Sequence, residues 1–122
     1  MSKRLDDLDS EFKLRVFELI ARANEAGINV KIIDTLRTPE EQTENLARGV
    51  SWTAKSKHLP QEPEGKAKAI DLAPAAVLTM KHWAPSHPDW LRLGEIGERL
   101  GMTWGGRWTR TPDSCHFEVG AD

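Results

Sequence analysis

At Gly27 the spacing of apolar residues changes period. Before it, Leu5, Leu8, Phe12, Val16, Leu19, Ile20 and Ala23 recur at three- and four-residue steps, which predicts one amphipathic helix with Gly27 as its C-terminal stop. After it, Ile28, Val30 and Ile32 alternate with Asn29 and Lys31, the period of a half-buried strand. The switching continues along the chain. In "TPEEQTENLARG" a Thr38 cap, Pro39 at the first helical position and Glu41 three residues after the cap predict a second helix ending at Gly49. "AKAIDLA" alternates again, with Ala67, Ala69 and Asp71 turned to a cleft and Ile70 and Leu72 to the other side. "SHPDWLRLGEIGERLG" predicts a third helix, capped through Ser86 and Asp89, stopped at Gly101, with Leu93, Ile96 and Leu100 facing inward. In "CHFEV", Cys115, Phe117 and Val119 point one way and His116 and Glu118 the other. Helices interspersed with short strands, without a regular βαβ repeat, predict an α+β fold: a small antiparallel sheet with flanking helices.

Length and charge narrow what such a fold does. With 122 residues, a single domain over 1–122 is expected. A net charge of −2 leaves no basic stripe interleaved with aromatics, so the electrostatic drive for nucleic-acid binding is missing. Cys115 is the sole cysteine, which excludes an internal disulfide. "MSKRLDDLDSEF" lacks the apolar run of a signal peptide, and no segment reaches transmembrane length. The expectation is a chain made in the cytoplasm, without membrane insertion, that needs help to reach any substrate outside.

Three polar residues sit where strands would bring them together. His58 enters a predicted strand, Asp71 lies on it, and His116 is on the cleft side of a later one. Two imidazoles and a carboxylate suit a catalytic zinc, which takes three protein ligands and keeps a fourth tetrahedral position for water. Asp113, three residues before His116, is placed for a general base. Other residues admit two readings. Glu118 shares the His116 face and either orients that imidazole or is a solvated edge carboxylate. Trp104 and Trp108, flanking Gly105-Gly106, either line the cleft or close the core. Arg37 either serves the site or pairs with Glu40 or Glu41 on the surface. His82 and His87 read as surface loop residues without a matching carboxylate, and Cys115 as buried and inert.

Taken in order, "SKH", "AID" and "DSCHFE" resemble the zinc D-Ala-D-Ala carboxypeptidase and VanY-like peptidases, which share a fold with the Hedgehog signalling domain. Within them the chain is most similar to bacteriophage L-alanyl-D-glutamate endopeptidases. The likeness takes in "LRTPEEQ", Gly49-Val50-Ser51, "DLAP" and "LGMTWGGRW". It implies zinc held by His58, Asp71 and His116, Asp113 as catalytic acid and base, Arg37 as the cation that polarises the scissile carbonyl, and Ser56 as a supporting polar group. Aspartate rather than glutamate at the base position leans towards an internal-bond cutter. The spacer "LPQEPEGKAKAI" is longer than in many members, and its 59–68 portion is expected to form a flap at the cleft rim. The implied function is cleavage of the L-Ala-D-Glu bond of the peptidoglycan stem by a monomeric phage or prophage lysis enzyme, held in the host cytoplasm until a holin opens the membrane. The alternatives are a D,D- or L,D-carboxypeptidase and a non-catalytic zinc-containing binding module.

Overall fold

A computed structural model describes residues 2–48 and 56–120. Helix α1 spans Ser10–Glu25, strand β1 Val30–Asp34, helix α2 Pro39–Ala47 and strand β2 Ala69–Pro74. Helix α3 (Pro88–Arg99), strand β3 (Met102–Trp104) and strand β4 (His116–Val119) complete the set. The strands form one antiparallel sheet in the order β1-β2-β4-β3, so the fold is α+β as the periodicities predict. Among the described residues no helix is long and apolar enough to cross a membrane.

The first helix starts later than the spacing predicts. The Asp9 carboxylate accepts from the Phe12 N–H at 3.2 Å and caps the helix there. Leu5 falls in a 3-10 turn, and Leu8 forms a parallel bridge with Ala67. Both still pack on the same core as Phe12, Val16 and Leu19, which is why their spacing mimics one continuous helix. The far end explains why β1 begins at Val30 and not at Ile28. Gly27 adopts φ +82°, its N–H reaches the Asn24 carbonyl, and the Ile28 N–H reaches the Ala23 carbonyl at 2.8 Å. These are the paired bonds of a Schellman stop, and they commit Ile28 to the helix end before the strand can start.

Helix α2 has the reciprocal Thr38–Glu41 capping box that its sequence predicts; the stop at Gly49 and the Gly49-Val50-Ser51 stretch lie outside the described residues. The cap of α3 is His87 and not Ser86: its Nδ1 accepts from the Asp89 N–H at 3.1 Å, with Pro88 in the first turn. Leu93 points into the core, but the tightest approach of α3 to the sheet comes at two glycines. A Cβ on Gly94 would lie 2.3 Å from the Trp104 ring, and one on Gly97 would lie 2.6 Å from that of Phe117. At these two points the rings of the sheet lie directly on the helix backbone.

One sheet face, carrying Ile70, Leu72 and Phe117, closes the main core against α1 and α3. Burying side chains of this size contributes about 1.5–3 kcal/mol each. On β2 the alternate residues Ala69, Asp71 and Ala73 share the other face. Ala73 packs there with Val77 and Trp90, and Asp71 is left at the opening. The 59–68 segment, expected to be a flap, is fastened elsewhere. Its Gln61–Lys66 bridge closes a turn, and Glu64 accepts from both the N–H and the hydroxyl of Ser10 at the start of α1.

Candidate metal and catalytic centre

Sheet register builds the site. Asp71 on β2 is directly opposite His116 on β4, and on its other side it pairs with Asp34 of β1 after a register slip past Ile32. Directly opposed residues share a face, so pairing alone sets the carboxylate beside the imidazole. His58 comes from the loop before β2. Its N–H donates to Ser56 Oγ at 3.1 Å, and its carbonyl accepts from the Arg37 N–H at 2.8 Å.

The two rings are fixed by what holds their outer nitrogens. His58 Nδ1 donates to the Thr35 carbonyl at 2.6 Å, which leaves Nε2 facing Asp71 Oδ1 at 3.1 Å. His116 is turned the opposite way: Nε2 donates to Glu118 Oε1 at 2.8 Å and Nδ1 lies 3.3 Å from the same Asp71 oxygen. Adjacent ligands on a tetrahedral zinc, each about 2.0–2.1 Å from the metal, stand about 3.3 Å apart. The donor atoms of His58, Asp71 and His116 all lie within 4.8 Å of one another, and the two contacts to Asp71 match that tetrahedral edge. The three residues therefore fit the zinc that the sequence implies.

Electrostatics follow the same contacts. Burial alone would raise Asp71, but hydrogen bonds from His116 and His58 outweigh it and hold the carboxyl well below its ordinary range. Burial opposes charge on His116, yet its bonds to Asp71 and Glu118 prevail and push it up to about 9. Glu118 is lowered despite its burial by His116 and by Lys57, whose Nζ is 3.3 Å away. It occupies the position that orients an imidazole from behind.

Asp113 comes to the opening through a turn in which the His116 N–H bonds the Asp113 carbonyl at 3.1 Å. Its carboxylate lies within 4.8 Å of that of Asp71, outside the two-histidine group. Gly105 permits this approach. Its carbonyl takes the Asp113 N–H at 2.9 Å, and a Cβ there would lie 2.5 Å from the Asp113 carbonyl oxygen. The same turn corrects the expected placement of Cys115. Strand alternation begins only at His116, so the Cys115 thiol turns to the site side, with Sγ 3.1 Å from Asp113 Oδ1. Burial first, then the charges of Asp71 and Asp113, push that thiol far up, so it is no nucleophile.

The tryptophans divide. Trp104 joins the main core and donates its indole N–H to the Ser114 carbonyl at 2.7 Å, bracing the Asp113 turn from inside. Trp108 lies at the site, its ring 5.0 Å from that of His116. Arg37 is buried and pairs with neither Glu40 nor Glu41. Its Nε and Nη2 both donate to Asp34 Oδ2, at 3.2 and 2.6 Å, and its Nη1 donates to Gln42 Oε1. Asp34 Oδ2 stands 4.0 Å from His58 Nδ1, so this pair backs the His58 ring. Of the remaining histidines, His87 is the α3 cap, whereas His82 lines a cleft beside Asp113. Sequence reading missed Asp34, Thr35 and Gln42; for the first two the available signal was a carboxylate and a hydroxyl directly after the apolar pair Ile32-Ile33.

Residues 51–119 match a peptidase family described as D-alanyl-D-alanine carboxypeptidase. The chain is 28% identical over 114 residues to the L-alanyl-D-glutamate peptidase of Listeria phage A118, covering 93% of this chain and 38% of that protein's length. It is 30% identical over 125 residues to the peptidoglycan L-alanyl-D-glutamate endopeptidase CwlK of Bacillus subtilis, covering 93% and 74%. Among solved structures it is similar to the L-Ala D-Glu endopeptidase ChiX of Serratia marcescens, with TM-score 0.70, 23% identity and coverage of 94% and 82%. It also resembles VanYB in complex with D-alanine-D-alanine, with TM-score 0.58, 16% identity and coverage of 93% and 72%. These two likenesses are of fold.

Proposed function

Because the chain belongs to the D-alanyl-D-alanine carboxypeptidase family of peptidases, we propose that it is a zinc-dependent peptidase that hydrolyses the L-Ala-D-Glu bond of the peptidoglycan stem. The observation that carries this reading is the His58–Asp71–His116 cluster, with both outer ring nitrogens committed and a separate carboxylate, Asp113, alongside. A purely structural site has no use for that fourth group. The choice of bond follows the relatives named for it, and a lysis role follows the phage relative. A monomeric single-domain enzyme, released to the wall through a holin-opened membrane, completes the proposal.

His58 Nε2, His116 Nδ1 and the Asp71 carboxylate would hold the metal. Bound there, zinc would supply Lewis acidity towards the scissile carbonyl and the attacking water. Asp113 takes a proton from that water and returns it to the departing amine. Thr35 and Glu118 keep the two imidazoles in the tautomers that free Nε2 and Nδ1. Ser56 holds the His58 backbone, and Trp108 walls the His116 side. Arg37, implied as the carbonyl-polarising cation, has three of its five N–H groups engaged by Asp34 and Gln42, and the other two have no partner among the described residues.

The deciding experiment is digestion of peptidoglycan with and without chelator, followed by mass spectrometry. Release of the stem from L-Ala, abolished by chelator, is expected; release of single D-alanine would make the enzyme a carboxypeptidase, and no release would leave a binding module. Elemental analysis should find one zinc per chain, and its retention in both His58→Ala and His116→Ala would overturn the ligand set.

Zinc binding should also be coupled to protons. His116 in the metal-free protein sits at about 9, above its ordinary value. Its protonated form therefore stabilises the fold fully below the ordinary histidine value, and this contribution fades as pH rises through about 9. A metal on Nδ1 displaces one proton, so zinc affinity should climb by about tenfold per pH unit between 7 and 9. Calorimetry in buffers of different ionisation enthalpy measures the release. Glu118→Gln should weaken zinc binding by about 10–100-fold.

A further inference from the structure

Beside Asp113 the protein holds a cleft of about 180 Å³ whose far wall is made by His82, Trp83 and Pro85. That is below the roughly 300 Å³ at which pockets for whole ligands begin, a size suited to one residue of a longer substrate. The wall is an unusual piece of backbone. His82, Trp83 and Ala84 all take positive φ, at 52°, 54° and 40°, a run that residues with a Cβ adopt only at a cost. It persists because its surroundings dictate it. The Trp90 indole N–H donates to the Trp83 carbonyl at 3.0 Å, and the N–H groups of Trp83, Ala84 and His87 close successive turns onto Met80, Lys81 and Ala84. Strain maintained in this way clusters at ligand-binding sites. The turn presents two side chains to the cleft: Trp83, which is 37% exposed, and the His82 imidazole, which has no partner among the described residues.

The position of the cleft says which part of a substrate it would meet. A group that returns the proton to the departing amine must stand on the leaving side of the scissile bond, so the space next to Asp113 receives the residue that contributes that amine. In a D-glutamyl residue linked onward through its side chain, the α-carboxylate stays free and is only two bonds from the scissile nitrogen. Entering beside Asp113, such a carboxylate meets a like charge and is repelled unless a donor is there. Of the residues lining the cleft, His82 alone can carry positive charge. We propose that the His82–Trp83–Ala84 turn is the leaving-side subsite, in which a ring N–H of His82 receives the α-carboxylate of the D-glutamyl residue and Trp83 walls its backbone. This deepens the endopeptidase reading above and rests on it.

Paired synthetic stem peptides test the assignment, one with D-glutamate after L-alanine and the other with D-isoglutamine, whose α-carboxylate is an amide. The zinc-loaded enzyme should prefer the free carboxylate by about tenfold or more in kcat/KM, the difference expected when a hydrogen bond to a charged group is lost. His82→Ala should raise KM for the D-glutamate peptide until the preference collapses. Trp83→Ala should raise KM for both peptides alike and leave the preference in place. Unchanged melting temperatures show that the exposed substitutions leave the fold intact. A preference that survives His82→Ala overturns the carboxylate assignment while the endopeptidase reading stands, and unaltered KM values in Trp83→Ala overturn the wall. If wild type cuts neither peptide, the endopeptidase reading falls and this subsite falls with it.

Discussion

Asp113→Asn should retain fold and zinc and lose hydrolysis by about 10²–10⁴-fold, the usual cost of removing a general base. The amide matches the carboxylate in shape, so the Asp113–His116 turn and the Gly105 contact survive. What the amide lacks is the capacity to take a proton beside the proposed zinc site. Single-turnover rates on the stem peptide, together with zinc content, check both halves. Retention of most wild-type activity would remove Asp113 from the chemistry. Loss of zinc along with activity would instead make Asp113 a ligand and reopen the assignment of Asp71, whose carboxylate lies within 4.8 Å of it.

The largest stability effect is expected at Arg37. Its side chain is 9% exposed and that of Asp34 only 2%, and the Asp34 carboxylate already has one oxygen, Oδ1, without a partner among the described residues. Arg37→Ala leaves this charge buried without its hydrogen-bonded partner and with only the His58 ring, 4.0 Å away, beside it; breaking a buried pair in this way costs about 3–5 kcal/mol. Set against a typical stability of about 5–15 kcal/mol, this would shift the denaturation midpoint severely. The pH dependence identifies the cause. Burial raises Asp34 even with His58 and Arg37 lowering it; without the guanidinium it rises further. The folded variant then binds a proton more readily than the unfolded chain does, so its deficit should be greatest at neutral pH and shrink as the medium turns acid. A uniform deficit across pH would point to lost packing and not to the bare carboxylate. In the fraction that folds, a fall in kcat with little change in KM would support the carbonyl-polarising role, since such a contact acts mainly in the transition state.

Much of this was local, and local features are what a sequence records well. Helix α2 reads directly from Thr38, Pro39 and Glu41 because a capping box is completed within four residues. The shared side of His116 and Glu118 follows from the period of a strand, and Asp71 opposite Ile70 and Leu72 follows likewise. With the order of the motifs added, the residues that come together at the centre could be named from the chain alone.

Tertiary structure decided everything that depends on a partner distant in sequence. Leu5 and Leu8 share the spacing of α1 because they bury against the same core, yet Asp9 starts the helix behind them. Trp104 and Trp108 are indistinguishable as letters; Gly94 on α3 leaves room for one ring in the core, and the other remains beside His116. Arg37 has carboxylates within four residues on either side, Asp34 before it and Glu40 and Glu41 after; the packing around the end of strand β1 selects Asp34, in a buried, low-dielectric position where an ion pair cannot be left incomplete. Cys115 breaks the alternation that its neighbours obey, because the turn from Asp113 ends where the β2–β4 ladder begins. Period and capping are properties of a few successive residues, whereas register, burial and the approach of a helix to a sheet arise only when distant segments compete for the same space.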